Sequence, residues 1–142
     1  MTEDRFSISV RINYEDTDAG GVVYYANYLA YMERARNACL RDMGFPLSEL
    51  QYKQKLIFVV AEASLKYIMP ARLDDLIQIT LAVLDIRGAA VNLSQQVIRS
   101  KKVLVDSTIK LVTLNSDTFS PCRIPENLRQ SLERHRIEYA GL

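Results

Sequence analysis

Hydrophobic and polar positions along the chain change period several times, and each change marks an element. Phe6, Ile8, Val10, Ile12 and Tyr14 alternate with Ser7, Ser9, Arg11 and Asn13, the period of two that a half-buried strand shows. From Asn27 onward Tyr28, Met32, Ala35, Cys39 and Met43 recur every three to four residues, with Glu33, Arg36 and Arg41 off that stripe. This is an amphipathic helix of about four or five turns. Gly44 and Pro46 end it, because glycine takes the left-handed C-terminal position and proline cannot continue a helix. After a helical turn at "PLSELQ", Ala61, Ala63, Leu65, Tyr67 and Met69 alternate with Glu62, Ser64 and Lys66 up to Pro70, a second strand. Ile77, Ile79, Leu81 and Val83 give a third before the turn "DIRG". Residues 89–99 and 103–114 give two more, separated by "SKK". In "IPENLRQSLERHRIE", proline suits a helix start and Leu128 stands four residues from Leu132, so a short helix closes the chain.

The order is strand, long helix, four strands joined as a meander, short helix. Short turns favour antiparallel neighbours, and the helix stripe needs a sheet to cover it. The expected fold class is α+β: a curved antiparallel sheet wrapped around one long central helix, with residues 1–142 as a single domain. Leu104, Val112 and Leu114 lie opposite Val103, Ile109 and Leu111 on their strand. Strands apolar on both sides are usually covered on both sides, so the sheet is expected to self-associate.

Composition narrows the function. With 49% hydrophobic residues the chain can bury a real core. A formal net charge of +1, from 18 basic and 17 acidic residues, gives no field that would draw nucleic acid. "MTEDRFSISV" has no basic n-region or apolar h-region, and no apolar run nears the roughly 18 residues of a membrane span. Cys39 and Cys122 share no CxxC spacing and fit a reducing compartment. A cytoplasmic protein is expected.

Candidate chemistry concentrates in "EDTDAGG", which carries Glu15, Asp16 and Asp18 ahead of Gly20 and Gly21. A carboxylate in such a loop can serve as nucleophile or general base where donors for a developing negative charge stand nearby. Asp16 and Asp18 are two apart and share a side if the loop is extended. Gly20 and Gly21 allow close backbone approach, and the N–H groups leading into the helix, Val22 to Tyr25, suit negative charge.

The run "YEDTDAGGVVYYANYLAYMERAR", together with the element order, resembles the hotdog-fold acyl-CoA thioesterases of the 4-hydroxybenzoyl-CoA thioesterase class, in particular the YbgC branch associated with the Tol-Pal system. The likeness covers nearly the whole chain and recurs at "PARLDD", residues 70–75, the family's turn before its next strand. It implies a hotdog fold and hydrolysis of an acyl-CoA to free acid and coenzyme A, with Asp18 attacking the thioester or activating water. Tyr25 would assist at the carbonyl. Gly21, Val22, Val23 and Asn27 would line the substrate site. Phe58 and Val59, within the backbone stretch 57–59, would face that site across a subunit boundary. The resemblance further implies a homo-oligomer, commonly a tetramer made of two dimers, with acyl carrier protein as an alternative partner. Many YbgC-like enzymes read "VYH" where this chain reads "VYY". A phenol, with an ordinary pKa near about 10, shuttles protons poorly at neutral pH.

Each assignment has a plainer rival. Asp18 could cap the helix or close an Asx-type turn. Tyr28 and Tyr31 stand at helical spacing and read as core, and Asp16 reads as a residue that fixes the loop. Arg99, Lys101 and Lys102 form a basic turn suited to coenzyme A phosphates or simply to solvent. His135 is the only histidine, which counts against Ser-His-Asp or Cys-His catalysis and against histidine-dependent hydratases. No HExxH, CxxC or nucleotide-binding glycine pattern occurs, so no metal or cofactor is implied. Three functions follow: a thioesterase, a non-catalytic acyl-CoA or acyl carrier protein binding module, and, more remotely, a structural partner in the cell envelope.

Overall fold

The computed structural model describes residues 5–137. Five strands form one sheet: β1 (Phe6–Arg11), β2 (Leu56–Tyr67), β3 (Leu76–Arg87), β4 (Ala90–Arg99) and β5 (Lys102–Asn115). Helix α1 (Asn27–Asp42) crosses it, with α2 (Leu47–Lys53) and α3 (Glu126–Glu133) beside it. All pairings are antiparallel, in the order β1-β3-β4-β5-β2. The α+β class, an antiparallel sheet with one long helix against it, stands as expected from the residues, and the hotdog architecture as the resemblance implies.

The expected four-strand meander is corrected to three. β3, β4 and β5 are joined by tight turns, but β2 lies at the far edge against β5. Residues 68–75, including Pro70, carry the chain from one edge region to the other, a link too long to enforce adjacency. The first strand also stops earlier than its alternation suggests. After Arg11 the chain makes a 3-10 turn at Tyr14–Asp16, because the Asp16 carboxylate accepts the Asn13 amide at 2.8 Å. At the other end α3 stops at Glu133, and His135 lies beyond it, edge-on to the Phe6 ring. Glu138, the last residue of the expected helix, and residues 1–4 of the N-terminal stretch lie outside the described residues.

Cross-strand ladders make the core. Val83, Leu93, Ile109 and Ala63 follow one another across β3, β4, β5 and β2, as do Val91, Leu111 and Val60 across β4, β5 and β2. Against the buried part of this face α1 lays Tyr28, Tyr31, Met32, Ala35, Cys39 and Leu40. Each of Leu84, Ala61 and Leu104 is an extra residue at a break in register, and such bulges bend and twist a sheet around its contents.

The bulge at Leu104 also removes one residue from the expected outer apolar face of β5. It shifts the strand's phase, so Leu104 is buried together with Val105, while Asp106, Thr108 and Lys110 occupy the other side. Of the apolar outer set Val112, half-buried, and Leu114, buried, remain. The exposed apolar surface lies instead at β2 and just beyond it, on Val60, Tyr67, Ile68 and Met69.

Candidate active site

The loop between β1 and α1 is held by hydrogen bonds to three neighbours. Ile12 and Asp74–Asp75 exchange backbone bonds at 2.9 Å. Val23 donates its amide to Ala71 O at 2.9 Å. Asp16 O accepts both the Tyr24 amide at 3.1 Å and the Asn27 side-chain amide at 3.0 Å. Asn27 is thus the first residue of α1, with Ala26 at its N-cap, and its side chain ties the helix start to the loop. The "PARLDD" turn is the loop's counterpart. Arg72 N–H and the Arg99 guanidinium both reach Asp75 Oδ2, at 2.8 and 2.6 Å. Burial pushes the Asp75 pKa up, but these donors and the nearby positive charge more than reverse it, so it lies below its ordinary value.

Asp16 and Asp18 do not form a pair of facing carboxylates. Asp16 turns back to Asn13, whereas Asp18 Oδ1 accepts the Gly20 amide at 2.8 Å. That is the Asx-type turn, not the helix cap, of the two plain roles open to Asp18. A Cβ at position 20 would come within 3.2 Å of Asp18 Oδ1, and Gly21 adopts φ +80°, so both glycines let the chain fold around this carboxylate. The turn occupies one oxygen. The Asp18 side chain is exposed and Oδ2 has no protein donor among the described residues.

Of the amides leading into α1, those of Val23 and Tyr24 are donated to carbonyls. The amides of Val22 and Tyr25 are the two not used in that way, and they lie beside the positive end of the helix. Tyr25 is 62% exposed, with its ring edge-on to Tyr67 at 6.1 Å and tilted against Tyr24 at 5.1 Å. The Tyr67 hydroxyl donates to Tyr25 O at 3.4 Å. Tyr67 is a member of this site that alternation alone presents only as a strand residue. Tyr28 and Tyr31 are core, as their spacing suggests, and Tyr28 Oη accepts the Ala71 amide at 3.0 Å. Burial, then the neighbouring Asp16, raises the pKa of Tyr31, whose hydroxyl has no hydrogen bond.

The other proposed residues stand apart. Arg99 is bound to Asp75 and to Pro70 O, whereas Lys101, in the β4–β5 turn, and Lys102, at the start of β5, are exposed. Phe58 and Val59 lie at the start of β2, half-buried. Phe58 lines a cleft of about 690 Å³ between α1, α2 and the sheet, along with Leu29, Leu40, Met43, Val60 and Leu111. Asp18 and Tyr25 are not in its walls. The cleft nevertheless extends toward the start of α1, where Leu29 and Ala30 line it, and along β2 as far as Ala63.

The sequence profile of the Thioesterase-like superfamily matches residues 12–132. The chain is 37% identical to the acyl-CoA thioesterase YbgC of Haemophilus influenzae, covering 91% of this chain and 95% of that one. Identity to the acyl-CoA thioester hydrolase YbgC of Escherichia coli O157:H7 is 34%, covering 90% and 96%. Among solved structures, a probable thioesterase from Bartonella henselae superposes with a TM-score of 0.79 at 31% identity, covering 84% and 98%. A gentisyl-coenzyme A thioesterase does so with a TM-score of 0.81 at 29% identity, covering 89% and 98%.

Proposed function

The chain belongs to the Thioesterase-like superfamily and is a thioester hydrolase acting on acyl-CoA, and we propose that Asp18 is the residue that starts the reaction. The observation that carries this is the Asp18 carboxylate, gripped through Oδ1 by the Gly20 amide with Oδ2 turned to solvent beside the start of α1. Oδ2 either attacks the thioester carbonyl, forming a mixed anhydride and releasing the coenzyme A thiolate, or takes a proton from the water that attacks. Water then regenerates the carboxylate in the first case; both routes give one free acid and one thiol. Donors near the helix start, the Val22 and Tyr25 amides, suit the oxyanion, and Tyr25 offers its hydroxyl to the carbonyl.

The cleft receives the acyl group of a second copy's site. β2 is bonded to β5 on one side only, and an unpaired strand edge is a template for another strand. Two such edges meeting antiparallel about a two-fold axis bring the Tyr67 end of one β2, with its Asp18 loop, against the Phe58 end of the other. The backbone of residues 57–59 then supplies the remaining oxyanion donors in trans, and two such dimers make the tetramer. Lys101 and Lys102, rather than the engaged Arg99, are the phosphate contacts in this arrangement. Acyl carrier protein is the alternative donor of the acyl group. The cytoplasmic assignment accords with the finding that no helix among the described residues is long and apolar enough to cross a membrane.

The test is thiol release from short-chain, long-chain and aromatic acyl-CoAs by wild type and Asp18→Asn. Asp18→Asn should lower kcat by about 10²–10⁴-fold, the usual value of a positioned acid or base, with an unchanged melting temperature. Near-wild-type rates would remove Asp18 from the chemistry. Binding without turnover on every substrate would make the protein a carrier module.

A further inference from the structure

The cleft is apolar except along one stretch of α1 and at Gln51 on α2. Glu33, Arg36 and Asn37 contribute its polar wall, and Arg36 is the only cation among the residues that line it. The Arg36 side chain is anchored. Its Nη1 donates to Gln95 Oε1 at 3.0 Å, and Gln95 is itself fully buried, on the inner face of β4. Gln95 Nε2 donates to Met32 O at 3.0 Å and Thr80 O at 3.4 Å, and Ser107 Oγ donates to Gln95 O at 2.6 Å. This network fixes the glutamine from behind, and the glutamine fixes the arginine.

Arg36 is half-buried, yet no carboxylate among the described residues lies within ion-pair distance of it. Burial lowers its pKa, and the field of Glu33 offsets that only in part. One hydrogen bond to a neutral amide uses one of five N–H donors and neutralises no charge. A cation left half-desolvated in an apolar cleft is costly unless something pairs with it. The arginine stands nine residues after Asn27, about 13 Å along the helix axis, well inside the cleft instead of at either end.

Resting on the thioesterase reading above, we propose that Arg36 is a specificity-determining residue that receives a carboxylate at the far end of the acyl group. The preferred substrates are then monothioesters of dicarboxylic acids. A carboxylate meets a guanidinium fork with two parallel hydrogen bonds and cancels its charge, which a methyl terminus cannot do and a hydroxyl does only in part.

The experiment measures kcat/KM for chain-matched pairs of acyl-CoAs, succinyl with butyryl, adipyl with hexanoyl and suberyl with octanoyl, and includes ω-hydroxyhexanoyl-CoA. Wild type should favour the carboxylate member of at least one pair, and Arg36→Met should reduce that carboxylate-to-methyl ratio at least tenfold. Arg36→Lys, which retains the charge and fills similar space, should retain part of it and keeps the test valid if the methionine variant folds poorly. As a readout independent of turnover, free adipate should raise the melting temperature of wild type but not of Arg36→Met. A ratio that stays constant while both rates fall would mean that Arg36 only pins α1 to Gln95, and the inference fails. A preference for the hydroxyl substrate over the carboxylate also overturns it. Turnover of methyl-ended substrates without any carboxylate preference rejects this inference alone, whereas no turnover on any substrate rejects the thioesterase reading and this inference with it.

Discussion

The loop that holds Asp18 and the edge strand β2 are built by opposite rules. The loop is closed within a single chain: Asp16 O, Ala71 O and the Gly20 amide each bind a named partner at 3.1 Å or less. β2 is bonded on one side, and at and beyond it Val60, Tyr67, Ile68 and Met69 stay exposed at 41–50%. The carboxylate loop is held within one protomer, while the apolar strand edge is left open. If two β2 edges pair as proposed, the part that holds the carboxylate is already rigid in one protomer and the part that encloses substrate is the part that pairs.

The strongest way to break that contrast is to block the edge and leave the loop alone. Val60 is 49% exposed in the isolated chain, so lysine there meets solvent if the protein is monomeric and is buried without a partner if two β2 strands pair. Val60→Lys should sediment as a monomer with unchanged far-UV circular dichroism and lose turnover by about 100-fold or more, the loss expected when oxyanion donors are removed. A monomeric Val60→Lys that still turns over acyl-CoA would show that the loop needs no second copy.

A smaller effect is expected from loosening the loop itself. Asp16→Asn keeps an acceptor for the Asn13 amide but loses the charge that shortens this bond. The cost should be about 1 kcal/mol, a fall in melting temperature of about 3 °C for a domain of this size, with turnover within about threefold of wild type. If Asp16→Asn instead abolished turnover at unchanged melting temperature, the two carboxylates would have to exchange roles.

How much of this was legible in the residues depends on whether the signal was local. The period change at Asn27 located the start of α1, and Gly20 two residues after Asp18 left an Asx-type turn as one of its two plain roles, because both are properties of neighbouring residues. Two errors arose where one residue changed a long-range relation. The extra Leu104 shifted the phase of Lys102–Val103 against the rest of β5, and Pro70 lies in a link that takes β2 away from β3. Alternation cannot show a bulge, since each side of it still alternates. The pairing of Arg99 with Asp75 and of Arg36 with Gln95 spans 24 and 59 residues, and nothing in the local pattern marks either arginine as engaged. Tyr67 escaped for the same reason, because only the folded chain brings it edge-on to Tyr25.

The smallest effect, and the one that sharpens the contrast most, concerns Tyr25, which stands on the loop but leans on the edge strand. Its ring is held by Tyr24 and Tyr67 and its carbonyl by the Tyr67 hydroxyl, so Tyr25→Phe leaves the packing in place and removes only the phenolic donor. If that hydroxyl binds the thioester carbonyl, the loss should be about 1 kcal/mol, or roughly fivefold in kcat, the net value of one neutral hydrogen bond. Tyr25→His replaces the phenol by a group that titrates near neutrality. It should raise kcat above that of Tyr25→Phe, with a dependence on pH between about 5 and 8 that wild type lacks. Equal rates for all three side chains would mean that Tyr25 belongs to the packing of β2 and contributes nothing at the carbonyl. The catalytic half of the site would then reduce to Asp18 and the backbone around it.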